Sequence, residues 1–251
     1  MTLLGEAASG ADVVALGPPD NKSADPESIA EWLSDVADDP VAFVEGAFPW
    51  GEGELANCKP EPWQADILAT VRDGLPIGRA IKIAVASGHG VGKTALICWL
   101  ILWAISTFPD TRGIISAATE PMLMTRVRAE LRKWLRMFKG RMFFSLGATA
   151  LTNSDAAHEQ TWRIDLLAWS ETRPEAFAGL HNQGKRILVI YDECSAIADS
   201  SGKRPKAPSL TPIRKSYGWH SAIRCGRPAG FASASNAAHG SPSASIRKRC
   251  R

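Results

Sequence analysis

Residues 87–94 read Ser-Gly-His-Gly-Val-Gly-Lys-Thr, and residues 192–193 read Asp-Glu. A glycine-rich turn ending in Lys-Thr suits a phosphate chain. Gly88, Gly90 and Gly92 let the backbone wrap, so that amide N–H groups and a helix N-terminus aim positive partial charge at the anion. Ser87 stands where the G-x-x-x-x-G-K-[ST] pattern begins with glycine; it is small and reads as a tolerated variant. In that pattern Ser87, Gly88, His89, Gly90, Val91, Gly92, Lys93 and Thr94 form the nucleotide loop. Lys93 reaches the β- and γ-phosphates, and the Thr94 hydroxyl serves Mg2+. His89 reads as a structural loop residue rather than a catalyst. The competing reading is a glycine-rich turn with an ordinary surface lysine.

Hydrolysis needs an acid for the metal and a base for water. Asp192 follows the apolar run 187–190, at the strand end where α/β folds place their ligands. It fits the Mg2+-holding acid of a Walker B strand. Glu193 fits the general base. The catalytic candidates are therefore Glu193 and Lys93, and the metal candidates are Thr94 and Asp192. A solvated acid pair at a strand end is the alternative. Gln64, in "PWQ", can read an adenine edge because its amide both donates and accepts. An exposed glutamine on an amphipathic helix explains it equally well.

These residues need elements to hold them. Residues 26–48 predict a helix with proline at its start, broken at Asp38-Asp39-Pro40, and then a second short helix. Residues 61–75 predict a helix with Trp63, Ile67, Leu68 and Val71 on one side. Residues 79–88 predict a strand and 92–108 a helix apolar nearly all round, hence buried. Strands are expected at 111–118, 161–169 and 185–197, and a helix at 120–140 closed by Gly140. Alternation of strand and helix, with near-continuous apolar strands, favours a mostly parallel sheet covered on both faces. The expected class is α/β, a P-loop NTPase with a mostly parallel sheet flanked by helices, incomplete, followed by a disordered basic C-terminal tail.

Charge divides the chain. Residues 1–200 carry 18 basic and 26 acidic side chains, whereas 201–251 carry 11 basic and no acidic ones. Overall basicity is thus no argument for nucleic-acid binding by the folded part. The expected organisation is a disordered N-terminus at 1–27, a helical segment at 28–60, a partial ATPase domain at 61–200 and a low-complexity tail at 201–251. No apolar run is long enough to span a bilayer. Five cysteines without a CxxC pair or His/Cys cluster suggest a reduced, intracellular protein.

The stretches "EPWQADIL", "VASGHGVGKTAL", "ISAATEPMLMTRVRAELRKWL" and "EAFAGLHNQGKRILVIYDECSAI", in this order, resemble the ATPase domain of the large terminase subunit of tailed bacteriophages. The resemblance covers roughly residues 40–199. It implies a motor in the host cytoplasm that uses ATP and Mg2+ to drive double-stranded DNA into a procapsid. It also implies self-association in a ring and partnership with a portal protein and a small terminase subunit. Carried over, Lys93, Thr94 and Asp192 bind ATP and magnesium, Glu193 is catalytic and Gln64 contacts adenine. Arg126 and Arg128 are candidates for a basic residue that stabilises the transferred phosphoryl, although a structural helix face explains each better.

Large terminase subunits continue into a nuclease domain with clustered carboxylates. Residues 201–251 have no carboxylate side chain, so they offer no two-metal site. A reading-frame change near Ser200 is one explanation: a one-nucleotide shift permits IWEAAEGTLTDADTEIIWLAFGNP over 200–223. The expected product is then a truncated ATPase that lacks the strand after Walker B and exposes a sheet edge. Other readings are a helicase-like or other DNA-processing P-loop ATPase, and an inert remnant that binds ATP or nucleic acid without packaging.

Overall fold

The structure is a computed structural model that describes residues 25–78, 80–85, 90–168 and 185–192, and the backbone of 220–224. Its centre is a seven-stranded sheet of order β1-β7-β6-β2-β5-β4-β3. The strands are β1 (Ile81–Ala84), β2 (Arg112–Ala117), β3 (Phe144–Leu146), β4 (Ala150–Asn153), β5 (Arg163–Ala168), β6 (Ile187–Asp192) and β7 (His220–Arg224). The five strands from β1 to β5 in that order run parallel. A short antiparallel hairpin, β3–β4, extends the far edge from β5. The α/β class with a mostly parallel sheet is therefore met. The hairpin is an addition that the sequence reading did not contain.

The helices begin where proline and a capping acid meet. Helix α1 (Pro26–Asp35) is capped by Asp25, and α2 (Pro40–Ala47) by Asp39, whose carboxylate accepts from the amides of Val41 and Ala42. Helix α3 (Pro62–Gly74) buries Gln64, Leu68 and Val71 along one stripe. Helix α4 (Lys93–Ser106) is buried from Ala95 to Ser106, as its uniform apolarity requires. The helix expected at 120–140 is divided into α5 (Glu120–Met122), a π-helical segment (Leu123–Arg128) and α6 (Ala129–Met137).

The N-terminal helices share the core of the sheet. Trp32 stacks on Phe43, Phe43 meets Phe138, and Phe48 lies edge-on to Trp134, which meets Trp99 of α4 edge-on. Aromatic pairs of this kind add to the area they bury. Arg186 makes a polar tie between the same parts. Its Nη1 donates to Thr107 Oγ1 at 2.6 Å and to the Ala104 carbonyl at 3.4 Å, and its Nη2 donates to the Ala37 carbonyl at 3.2 Å. The guanidinium also lies 4.3 Å from the Trp103 ring centroid. Burial lowers its pKa to about 10, opposed by the charge of Asp38.

One expectation needs amendment. The basic tail was expected to stay out of the sheet and to leave it short of a strand after β6. His220–Arg224 instead forms β7, paired on one side with β1 and on the other with β6. Backbone N–H and C=O groups at the facing edges of β1 and β6 need partners, and a ladder asks little of side-chain identity. The rest of the tail, and residues 1–24, lie outside the described residues. Cys98 is a buried free thiol. Among the described residues no helix is long and apolar enough to cross a membrane.

Candidate nucleotide site

Because β1, β7, β6, β2 and β5 run parallel, their C-terminal ends share one edge of the sheet. Chain leaving β1 at that edge turns through Gly90 and Gly92, both at positive φ (72° and 90°), and enters α4 at Lys93. Left-handed backbone at these two positions favours glycine. Gly92 is the N-cap of α4, and its carbonyl accepts the amide of Leu96 at 3.2 Å. Lys93 and Thr94, both half-buried, thus occupy the first turn of a buried helix, where partial positive charge concentrates.

Asp192 ends β6 on the same edge. Ala84 of β1 and Tyr191 of β6 both pair with Arg224 of β7, so Asp192 stands one residue beyond the row that contains Ala84. Two strand spacings separate β1 from β6, about 10 Å. Asp192 follows Leu188 and Ile190 at intervals of two, and both of those belong to the core beneath α4. Its side chain therefore projects from the face that α4 covers, and it is only 6 % exposed. The Cys98 thiol, five residues beyond Lys93 on α4, registers this proximity. Its pKa is pushed well up, first by burial and then by the carboxylates of Glu130 and Asp192.

The oxygen donors fit magnesium rather than a softer ion. Thr94 could offer a hydroxyl and Asp192 a carboxylate. Among the described residues no group of three His, Cys, Asp or Glu side chains could hold a metal by itself. Mg2+ suits such a sparse site because it takes one or two carboxylates and completes its shell with phosphate oxygens and water.

Gln64 occupies a place that neither sequence reading foresaw. It is 3 % exposed, so it is not a solvated residue on a polar helix face. Its Oε1 accepts the Glu61 amide at 2.8 Å, closing one arm of a capping box, and its Nε2 donates to the Gly92 carbonyl at 2.9 Å. Gln64, Leu68, Val71 and Leu75 are all buried at helical spacing. That periodicity was the available signal. Of the remaining candidates, Gly90 and Val91 lie in the described part of the turn. Ser87, Gly88, His89 and Glu193 lie outside the described residues. Arg126 and Arg128 both belong to the π-helical segment. Arg128 Nε donates to the Gly147 carbonyl at 2.9 Å, tying the segment to the β3–β4 turn, and burial lowers its pKa with Arg132 adding to the effect.

No family model matches the sequence, and no curated protein matches it. Among solved structures, the crystal structure of the HK97 bacteriophage large terminase is similar at a TM-score of 0.50 and 16% identity, over 75% of this chain and 37% of that one. The chain shares its fold with part of a phage large terminase. It spans little more than a third of the HK97 protein's length. The Thermus phage P74-26 large terminase ATPase domain is similar more loosely, at a TM-score of 0.40 and 17% identity over 70% of each chain. A point mutant of that domain gives 0.41 and 16% over the same shares.

Proposed function

We propose that the chain is an ATP-hydrolysing motor module of the large-terminase type, which drives double-stranded viral DNA into a procapsid. The observation that carries this is the placement of Lys93 and Thr94 at the head of α4, with Asp192 on the face that α4 covers, two strands away. A triphosphate lying across the carboxyl edge would meet the loop amides from Gly88 to Gly92 and the Lys93 ammonium on one side. It would meet the Thr94 hydroxyl and Asp192 on the other, with Mg2+ between them to neutralise phosphate charge. Glu193, next in sequence to Asp192, would accept a proton from the attacking water. Residues 61–200 would form the ATPase unit, with 28–60 packed on it. Double-stranded DNA, a portal protein, a small terminase subunit and further copies of the chain would be its partners. Cutting DNA falls to residues that 201–251 do not supply.

The test is magnesium-dependent ATP hydrolysis by the purified chain. Lys93→Ala and Glu193→Gln should each reduce turnover by at least about a hundredfold, the scale of a lost transition-state contact or general base. ATP binding without turnover in the unmodified chain would favour the second reading, a crippled module. That reading draws on β7, because the strand beside β6 comes from a segment of low complexity rather than from an apolar run.

A further inference from the structure

We propose that Gln64 is a positioning residue for the phosphate turn, holding Gly92 in its left-handed conformation rather than selecting the base of the nucleotide. This rests on the reading of residues 87–94 as a nucleotide loop. Gln64 Nε2 donates to the Gly92 carbonyl at 2.9 Å, 28 residues away in sequence. The same carbonyl accepts the amide of Leu96, so one oxygen carries both the first turn of α4 and the link to α3. Gly92 has φ +90°, and a Cβ there would stand 2.9 Å from Gln64 Nε2. A methyl group at Gly92 would therefore require the Gln64 amide to shift. The other end of the amide is held by the Glu61 backbone, and the whole side chain is buried. An amide fixed at both ends sets the orientation of the peptide that delivers Lys93 and Thr94. Preorganised donors of this kind act on whatever carries the phosphates.

Gln64→Glu in the full chain is the selective test. Glutamate keeps an acceptor for the Glu61 amide and replaces the Nε2 donor with an oxygen that repels the Gly92 carbonyl. The probes are Mg·ATP, Mg·GTP and magnesium tripolyphosphate, titrated calorimetrically. A positioning role weakens all three by the same factor, about five- to tenfold. It also makes the ratio of unmodified to variant affinity shrink between about pH 8 and about pH 5.5, because a protonated carboxyl again donates to the carbonyl. Gln64→Met, which cannot donate at any pH, should show the uniform weakening without the recovery, and it serves as the test if Gln64→Glu fails to fold. Loss confined to ATP, with GTP and tripolyphosphate unaffected, would overturn the proposal in favour of adenine reading. Unchanged affinities for all three would overturn it outright. An unmodified chain that binds none of the three would instead overturn the nucleotide-loop reading itself.

Discussion

Gln64 and Gly92 are joined by a 2.9 Å hydrogen bond that runs from the first turn of α3 to the N-cap of α4. This contact ties the glycine turn before α4 to the buried face of α3. Gly92→Ala tests it from the loop side. Alanine at φ +90° meets about 1–2 kcal/mol of backbone strain and must also push the Gln64 amide aside. The expected outcome is a stability loss of about 1–3 kcal/mol, read by urea denaturation, together with weakened Mg·ATP binding. Unchanged stability would mean that the turn is not held as described.

Gly113 sets the separation of the two strands that hold Asp192 in place. A Cβ on Gly113 of β2 would stand 2.6 Å from the Leu188 carbonyl of β6, and backbone cannot swing aside as a side chain can. Gly113→Ala should cost at least about 2 kcal/mol in urea denaturation, in the range of overpacked cores. A loss under about 0.5 kcal/mol, the scale of an uninvolved surface site, would contradict the close β2–β6 pairing.

Arg186 is a buried cation whose hydrogen bonds reach α4 and the α1–α2 turn. Arg186→Leu removes those donors and takes the Nη2 bond from the Ala37 carbonyl, whereas the Ala104 carbonyl keeps the Thr111 hydroxyl. The expected destabilisation is about 2–4 kcal/mol. The pH dependence has a definite sign. The folded pKa, about 10, lies below the ordinary arginine value, so above about pH 10 the unfolded chain binds more protons and stability attributable to this group rises with pH there. Below about pH 9 Arg186 is charged in both states and adds no slope.

Asp110 acts with the same sign at the acid end of the pH range. It adopts φ 54°, and its carboxylate accepts from Lys185 Nζ at 3.1 Å and Thr161 Oγ1 at 3.2 Å, with His158 Nδ1 3.5 Å away. The hydrogen bond from Lys185 is the largest cause holding its pKa below the ordinary value of 3.8. Its contribution is therefore full above about pH 4 and is lost as pH falls through the lower folded value. Asp110→Asn, which tolerates the left-handed backbone, should flatten the acid limb of a stability-against-pH curve without shifting the neutral plateau by more than about 1 kcal/mol.

The helices were legible because proline and aspartate mark α1 and α2 and because α4 is apolar on all sides. Strands β2 and β6 were legible as apolar runs bounded by turn residues. The hairpin was not: Phe144–Leu146 spans three residues and offers no alternation to count. Nor was the π-helical segment at Leu123–Arg128, since i→i+5 bonding has no residue signature that separates it from an α-helix. Strand β7 escaped because backbone pairing recruited a segment whose composition argues against packing. Lys93, Thr94 and Asp192 stood out through motif spacing, whereas the burial of Gln64 went unread even though it keeps step with Leu68, Val71 and Leu75.

Magnesium dependence of nucleotide binding tests most directly whether Lys93 and Asp192 serve one triphosphate. The unmodified chain, Lys93→Ala and Asp192→Asn are titrated with ATP in the presence of Mg2+ and again in EDTA. The expected result is magnesium-enhanced affinity in the unmodified chain, loss of affinity in both conditions for Lys93→Ala, and loss of the magnesium enhancement alone for Asp192→Asn. Full magnesium enhancement in Asp192→Asn, or undiminished affinity in Lys93→Ala, would contradict a shared site.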